Sequence, residues 1–459
     1  MSAPPSCAAA PASCGGGREL LLLERGWKMV DAARHLFSGA LPREALERTW
    51  RDPRRGFSAV DYLSLLLIGL YNPAVRTLRG LCAATALPRL QRRWGCGPMP
   101  LASVSDAQHL VDPALLLPVI GELTARVQAQ AAAQGGGTSR SARAGFALKV
   151  VDSSVFPALS RMVWAAYGAG RPRNDGRTHQ AVRFHVSFDV PSGSPERVTV
   201  TPGKICERRV WRAALKADSG QPAPPPGSQT PVAIQTGDRN YGSDFALLEE
   251  LAAQGIHFLT RLRTHEHPEV IEELPVSAED RAEGVVRQAW VLLGKSWRRP
   301  GPRDRDPECP RKKRGLQQRA EQAVRVIWIQ RAEQMVVLAT TLPPEVLSAA
   351  LAGQCYRERW QVEFFFRWMK CLLGCGHWLA QSEKGATVQL YLVMVAALLL
   401  QLQCGRRPNR RMLELVQFYF AGLASVEDLE RGLARAAAAA EKAARSKRLY
   451  AQKKAAQKQ

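Results

Sequence analysis

From about residue 146 the chain changes from a helical pattern to short apolar runs, and this change limits the possible folds more than any other feature. Two runs, FALKVVDSSVF and PVAIQTGDRNYGS, are apolar and pass into an acid, while AVRFHVSFDV alternates and RVTVTPG follows it. Such runs predict strands. An amphipathic helix pattern, DFALLEELAAQ, separates the second acidic run from a further strand pattern, GIHFLTRL. Strands followed by strand, helix and strand predict a mixed α/β sheet.

Helical patterns flank this sheet, and a second group of strand patterns interrupts it. AVDYLSLLLIGLY and PALLLPVIGELTARVQ have apolar residues at three- and four-residue spacing, while GVVRQAWVLLG, AVRVIWIQ and QMVVLATTL are strand-like. The predicted division is a disordered start (1–18), a helical N-terminal DNA-binding region (19–130), a Gly- and Ser-rich linker (131–145), the first part of the core (146–263), a β-rich insertion (264–343), the second part of the core (344–405) and a basic helical C-terminal region (406–459).

The charge of the chain indicates the kind of partner. Its 459 residues include 64 Lys and Arg against 41 Asp and Glu, a formal net charge of +23. Such an excess favours nucleic acid or an anionic membrane. The longest apolar stretch, Leu390–Leu402, is shorter than the ~20 residues that a bilayer requires and predicts a buried core helix. Nucleic acid is therefore the favoured partner, and a basic peripheral membrane protein is a weaker alternative.

The start of the chain and its cysteines favour a cytoplasmic protein. The N-terminus lacks a basic segment followed by an apolar run, so we predict no secretory signal. Ten cysteines are scattered along the chain, which fits reduced thiols. Cys371, Cys375 and His377 are three possible zinc ligands with no fourth nearby, and ordinary packing is the favoured interpretation.

The segment YRERWQVEFFFRWMK, residues 356–370, places charged side chains among aromatic ones. Tyr356, Arg359, Glu363 and Lys370 stand at offsets 0, 3, 7 and 14, so on an α-helix they share one face. Burying such a stripe unpaired would cost several kcal/mol. The stripe must therefore face a cleft or a charged ligand. The alternative is a solvent-exposed face whose charged side chains form ion pairs with one another, one helical turn apart. Its aromatic neighbours, including Phe364, are expected to anchor the helix in a core.

Three carboxylates could form one site. Asp152 and Asp238 each end a strand-like run, at the sheet edge where ligands bind. Together with Glu363 they could hold a pair of divalent cations, because hard oxygen ligands suit Mg²⁺ or Mn²⁺. Two such ions promote in-line displacement at phosphorus. The set predicts phosphodiester cleavage or transfer, although each Asp alone is better explained as a turn residue at a strand end.

These motifs resemble a known family. The spacing of Tyr356, Arg359, Glu363 and Lys370 is similar to the YREK signature of bacterial transposases of the insertion-sequence-four family. VVDSS and GDRNYGS resemble the two aspartate motifs of that family, although Asn240 occupies a position that is often small. The segment AVRFHVSFDVPSGSPERVTVTPG resembles the strands after the first Asp. Separations of 86 and 125 positions between the three acids agree with the family plan, and the resemblance covers residues 142–403.

The resemblance implies a ribonuclease-H-like catalytic core interrupted by a β-rich insertion. By the same carry-over, Asp152, Asp238 and Glu363 are the DDE triad and bind two Mg²⁺ ions, which Mn²⁺ can replace. Tyr356, Arg359 and Lys370 would contact phosphates near the transposon end.

The resemblance also implies cut-and-paste transposition. Water nicks one strand at the transposon end, and the freed 3′-hydroxyl attacks the opposite strand to form a hairpin. A flipped base stacks on a tryptophan of the insertion. The possible residues are Trp290, Trp297 and Trp328, of which Trp297 is favoured because it borders the basic loop 298–314, itself a predicted DNA contact. A core position for Trp297 is equally open.

The implied partners are transposon ends and target DNA, bound by a homodimer in the bacterial cytoplasm near the nucleoid. Residues 19–130 would recognise the ends, although this region lacks a clear helix-turn-helix signature. Two alternatives are a ribonuclease-H-like nuclease without strand transfer and a catalytically inactive DNA-binding derivative. His185 lies in an alternating run and is predicted to be a sheet residue, because a metal-activated water needs no histidine base.

Overall fold

A computed structural model describes most of the chain. It covers residues 28–42, 44, 50, 56–72, 74–133, 139–167, 180–218, 231–263, 269–293, 322–372, 374 and 377–456. The predictions for the first 18 residues, Trp297, the loop 298–314 and Cys375 fall outside these residues. The chain divides into two compact units, one of residues 1–120 and 391–459 and the other of residues 121–390.

One sheet forms the centre of the unit of residues 121–390. In chain order its strands are β1 Phe146–Pro157, β2 Ala181–Asp189, β3 Ser194–Pro202, β4 Val232–Gly237, β5 His257–Arg261, β6 Glu269–Leu274, β7 Val285–Leu292, β8 Ala323–Arg331 and β9 Gln334–Thr340. They lie in the spatial order β3-β2-β1-β4-β5-β9-β8-β7-β6.

The first five strands have the ribonuclease-H-like arrangement. Strand β2 pairs antiparallel with β1 and β3, and β4 pairs parallel with β1 and β5. The order 3-2-1-4-5 with β2 reversed is the arrangement of that fold, so the predicted mixed α/β core is confirmed. Strand β9 then pairs antiparallel with β5, and β8, β7 and β6 follow it in antiparallel order.

Helices flank the sheet in the sequence on both sides, as predicted. In chain order they are α1 Lys28–Ala40, α2 Ala59–Tyr71, α3 Leu78–Thr85, α4 Pro88–Trp94, α5 Leu101–Ala107, α6 Leu116–Ala133, α7 Arg140–Arg143, α8 Glu207–Asp218, α9 Arg239–Gly242, α10 Phe245–Ala253, α11 Ala278–Ala282, α12 Ala349–Glu358, α13 Trp360–Leu372, α14 Glu383–Cys404, α15 Arg410–Phe420 and α16 Val426–Ala456.

Helix α10 covers one face of the sheet because its leucines recur at three- and four-residue spacing. Leu247, Leu248 and Leu251 are buried in a cluster with Phe258 of β5 and with the insertion strands. On helix α13, the ring of Phe365 lies 5.4 Å from that of Phe188 in β2. Burial of these side chains supplies roughly 1.5–3 kcal/mol each, before the cost of ordering them.

The unit of residues 1–120 and 391–459 is built around apolar helices. Helix α2 is buried along almost its whole length, and the Tyr71 hydroxyl donates a 2.7 Å hydrogen bond to the Ala396 carbonyl oxygen. Within the part of the chain that is described, α14 is the one helix long and apolar enough to span a membrane, but 94% of its apolar window is buried. The predicted core helix within Leu390–Leu402 is confirmed.

Asp61 stabilises the start of α2 in two ways. It forms a capping box with Ser58, which satisfies free amide groups of the first turn. Its other carboxylate oxygen lies 2.7 Å from the Arg34 guanidinium, whose carbon lies 4.8 Å from the centre of the Trp94 ring. Asp61 therefore stabilises both the first turn of α2 and the packing of α1 against α2.

We expect Asp61→Ala to lower the free energy of unfolding by roughly 3 kcal/mol, because it removes a cap and leaves the guanidinium of Arg34 without its carboxylate. Urea denaturation of the full chain measures this loss. Asp428→Ala is the matched control, since Asp428 also caps a helix start but its side chain is mostly exposed. Equal midpoints for the Asp61→Ala and wild-type proteins would contradict the assignment.

Candidate active site

The parallel pairing of β1 with β4 brings two acids together. Their register runs from Phe146↔Val232 to Val150↔Thr236, so Asp152 and Asp238 each stand two residues beyond the last pair. Neighbouring strands are about 4.8 Å apart. Asp238 caps the short helix α9 and accepts a 2.8 Å hydrogen bond from the Asn240 amide. Only Asp238 follows the end of its strand as expected; Asp152 lies within β1, which continues to Pro157 and pairs Asp152 with Val186 of β2. The two acids, 86 positions apart in sequence, therefore lie where the pairing of β1 with β4 stops.

Helices α12 and α13 carry the polar stripe. Tyr356 lies in the last turn of α12, and Glu363 and Lys370 lie in the first and last turns of α13. The stripe is not on one continuous helix as expected, because α12 ends at Glu358 and α13 begins at Trp360. Arg359 between them keeps helical dihedral angles, φ −51° and ψ −34°, so the polar side chains stay on related faces.

Arg359 joins the stripe to the sheet. Its Nη1 lies 3.3 Å from Asp152 Oδ2, and its Nη2 donates a 2.7 Å hydrogen bond to Glu363 Oε1. The residue is only 9% exposed. A guanidinium buried between two carboxylates makes charge-assisted hydrogen bonds, which are about twice as strong as neutral ones.

The other two stripe residues also face strands of the sheet or their ends. Lys370 Nζ lies 5.5 Å from the centre of the Phe156 ring in β1. The pKa of Tyr356 is raised by burial and by the charge of Asp238, against the opposing effect of Arg359. Arg359 therefore contacts Asp152, Tyr356 lies within range of the charge of Asp238, and Lys370 lies against β1 at Phe156. The expectation that Phe364 anchors the helix in a core is wrong, because this side chain is 59% exposed.

Burial and like charges act on Asp152. The pKa of its carboxyl group is raised to about 7, mainly by burial and to a smaller extent by the carboxylates of Asp238 and Glu207. The Ser153 amide and the Arg359 guanidinium oppose this rise. Near neutral pH, the fold therefore holds a carboxylate whose ionised form needs more positive charge than Arg359 provides.

The donor set is chemically suited to a divalent cation. Carboxylate oxygens are the ligands that Mg²⁺ and Mn²⁺ prefer, and a cation would offset the crowding of acids around Asp152. Over the described residues, no group of three His, Cys, Asp or Glu is close enough to hold a metal. The reason at this site is that Glu363 is directed to Arg359. Cys371 and His377 likewise belong to no such group.

The structure places the remaining sequence candidates as follows. His185 is buried in β2, its Nε2 is 2.8 Å from Thr201 Oγ1, and burial lowers its pKa to about 4. Trp290 lies in β7, and Trp328 in β8 has the Arg287 guanidinium 4.7 Å from its ring centre. His185 therefore occupies the predicted sheet position.

Two charged residues near the aspartates were not anticipated from the sequence. Glu207 lies in the first turn of α8, and its charge affects Asp152. Arg261 ends β5, and its charge acts on Tyr356. The only sequence signals for them are an acid just after the TPG segment and a basic residue at the end of a predicted strand. Both signals are common at ordinary helix starts and strand ends.

A ribonuclease-H-like sheet with acids on its two adjacent central strands, β1 and β4, is the architecture of a class of enzymes that process nucleic acids. The family model described as "Transposase DDE domain" matches residues 146–400, more than half of the chain. The chain belongs to this family of DNA transposases. The family uses divalent metal ions and acts on DNA, and the positive net charge of the chain suits binding to DNA.

A relative and a solved structure resemble the chain. The protein "Putative transposase y4zB" of Sinorhizobium fredii (strain NBRC 101917 / NGR234) is 24% identical over 344 residues, which covers 73% of this chain and 81% of that protein. A cryo-EM structure of the piggyBac transposase synaptic complex with hairpin DNA is 10% identical, with a TM-score of 0.39, and covers 90% of this chain and 80% of that one. Because this TM-score is low, the fold assignment rests on strand order.

We expect Asp152→Asn to stabilise the metal-free protein at pH 8 by roughly 4 kcal/mol. The folded pKa of about 7 exceeds the ordinary value of 3.8, so the ionised aspartate lowers stability above pH 7. This cost shrinks as the pH falls from 7 towards 4, because the folded protein then takes up the proton. Urea denaturation in EDTA at several pH values measures the difference. A difference that does not change with pH would contradict this account.

Proposed function

We propose that the chain is a cut-and-paste transposase of the insertion-sequence-four type. It would bind the terminal inverted repeats of its element, cleave the phosphodiester backbone and join the 3′ ends to target DNA. The observation that best supports this is the contact of Arg359 with both Asp152 and Glu363. Through it, two residues of the YREK spacing, Arg359 and Glu363, are connected to Asp152.

Asp152, Asp238 and Glu363 would hold two divalent cations, Mg²⁺ or, in its place, Mn²⁺. Bound cations of this kind supply activation of the attacking oxygen and stabilisation of the leaving oxygen. For Glu363 to take part, its carboxylate must exchange the Arg359 guanidinium for a cation. The DNA-free arrangement is then a charge-neutralised form of the same carboxylate set.

Phosphates of DNA are a suitable new partner for Arg359 when Glu363 changes partner. A guanidinium makes two parallel hydrogen bonds to phosphate oxygens as readily as to a carboxylate. Tyr356 lies within range of the charge of Asp238, and Lys370 lies against Phe156 in β1; both would contact neighbouring phosphates. These three residues would hold the transposon end so that its scissile bond meets the aspartates.

The rest of the proposal rests on likeness to the insertion-sequence-four family. Residues 19–130 would recognise the ends, and a homodimer would pair two of them in the bacterial cytoplasm. Trp297 would stack on the base extruded when a hairpin forms, since base extrusion costs a few kcal/mol that an aromatic surface can offset. The β-rich insertion over residues 264–343 would carry this tryptophan to the cleaved end.

The decisive experiment is excision of a marker flanked by the element's own ends, in cells that express the wild-type protein or Glu363→Gln. We expect excision to fall at least 100-fold in the variant, because the amide is a poor cation ligand, while end binding stays within a factor of about three. Glu122→Gln is the matched control, since Glu122 also pairs with an arginine four residues away.

Three other outcomes of this experiment are informative. Equal excision by both proteins would exclude Glu363 from the active site. A Glu363→Gln protein that does not fold would mean that the Arg359–Glu363 pair is structural. Cleaved ends without joint products between donor and target DNA would indicate a nuclease without strand transfer.

We expect Arg359→Ala to weaken binding to the transposon end and to reduce the slope of log K against log salt by about 0.9, the value for one lost phosphate contact. Arg359→Lys keeps the charge but loses the two-pronged geometry, so it should weaken binding with little change in slope. Fluorescence anisotropy over a series of salt concentrations measures both effects. Arg126→Ala is the control, and an unchanged slope in Arg359→Ala would remove Arg359 from the interface.

A further inference from the structure

The Glu207 carboxylate contacts both of the segments that carry Asp152 and Asp238. Its Oε2 accepts a 2.6 Å hydrogen bond from Ser153 Oγ, and Ser153 follows Asp152 directly. Its Oε1 accepts a 3.3 Å hydrogen bond from Asn240 Nδ2, two residues after Asp238. The side chain is only 12% exposed, so it lies within the structure rather than on its surface.

A third contact anchors this carboxylate to the neighbouring strand β2. Arg183 Nη1 lies 3.6 Å from Glu207 Oε2 and donates a 3.0 Å hydrogen bond to Ser153 Oγ. The Nε of Arg183 donates to the Gly203 carbonyl oxygen at 3.2 Å. Because the Ser153 hydroxyl accepts from Arg183, its own proton is directed to Glu207. The three side chains form one connected hydrogen-bond network.

The backbone alone does not fix the separation of the two aspartates. The ladder between β1 and β4 ends at the pair Val150↔Thr236. Beyond this pair β1 continues towards Pro157, whereas the chain turns after Gly237 into α9. The bridge Ser153–Glu207–Asn240 spans the gap that opens between the two backbones. A single carboxylate therefore connects the two turns where the strand pairing no longer does.

We propose that Glu207 is a positioning residue that sets the spacing of Asp152 and Asp238 for binding a divalent cation. This inference rests on the proposed function, because it assumes that the two aspartates are cation ligands. Glu207 itself would not touch the ion, since both of its oxygens accept hydrogen bonds from neighbouring side chains. Partners of this kind orient the ligands, and their removal weakens metal binding by about 10–100-fold.

The test is a Mn²⁺ titration of the full-length protein, followed by electron paramagnetic resonance of the free ion. We expect Glu207→Ala to bind Mn²⁺ about 10–100-fold more weakly than the wild type. Glu207→Gln should lose less affinity, because its amide oxygen can still accept the hydrogen bond from Ser153. Glu196→Ala is the matched control, because Glu196 lies in strand β3 and pairs with Lys149 at 2.6 Å; this variant should bind Mn²⁺ like the wild type.

DNA cleavage provides a second measurement that separates positioning from folding. For Glu207→Ala, the Mn²⁺ concentration at half-maximal cleavage should rise by the same factor as the dissociation constant. The rate at saturating Mn²⁺ should stay close to that of the wild type. A purely structural role would lower the melting temperature and leave the Mn²⁺ dependence of the folded fraction unchanged.

Wild-type Mn²⁺ affinity in folded Glu207→Ala and Glu207→Gln proteins would overturn the proposal. The titration requires no reaction on DNA, so failure of the proposed function is recognised separately. In that case the wild type would bind Mn²⁺ and respond to the Glu207 variants, yet leave DNA ends uncut and unjoined.

Discussion

The parallel pairing of β1 with β4 is the constraint on which the site depends. The two strands are separated by β2, β3 and α8 in sequence, and a register shift of one residue would move one aspartate to the other face of the sheet. Buried side chains of both strands, among them Leu148, Val150 and Ile234, oppose such a shift. Gly237 completes the arrangement, because a Cβ atom at this position would lie 2.7 Å from the Tyr241 ring. The chain can therefore turn directly from β4 into α9 at Asp238.

The balance of acidic and basic side chains around Asp152 and Asp238 is the second constraint on the site. Acids gathered at a partly buried edge repel one another, and a fold selected only for stability would replace one of them. In this chain two arginines share the compensation. Arg359 approaches from the junction of α12 and α13, and Arg183 approaches from β2. Arg359 pairs with Glu363, a potential cation ligand, whereas Arg183 pairs with Glu207. The two arginines can therefore have different roles.

Much of the fold could be predicted from local patterns in the sequence. The alternating run AVRFHVSFDV became β2, and the leucine spacing of DFALLEELAAQ became a buried face of α10, because each pattern reports the burial of its own element. The break between α12 and α13 could not be predicted, since the residues around Arg359 favour helix throughout. Phe364 was misjudged for a related reason. Helical spacing shows which residues share a face, but only tertiary packing decides which face is covered.

The site was predictable only in part. The spacing of Tyr356, Arg359, Glu363 and Lys370 is a local signal, and within it the contact between Arg359 and Glu363 is one helical turn apart. Glu207 and Arg183 gave no comparable signal, because their contacts with Ser153 span 54 and 30 positions. A contact of this kind depends on strand register, which a single sequence does not specify.

The attachment of the insertion to the core has a mechanical consequence. Strand β9 joins β5 through the pairs Leu259↔Thr340, Thr260↔Ala339 and Arg261↔Leu338. Strands β6–β9 therefore continue the sheet of β1–β5 as one nine-stranded sheet. An element tethered by loops can swing freely, but a strand in a continuous ladder transmits bending and shear to its neighbours. Force applied to β6–β9 would thus travel through β5 to β4 and the turn at Asp238. A load on one edge of the sheet would therefore reach the candidate site at Asp152 and Asp238.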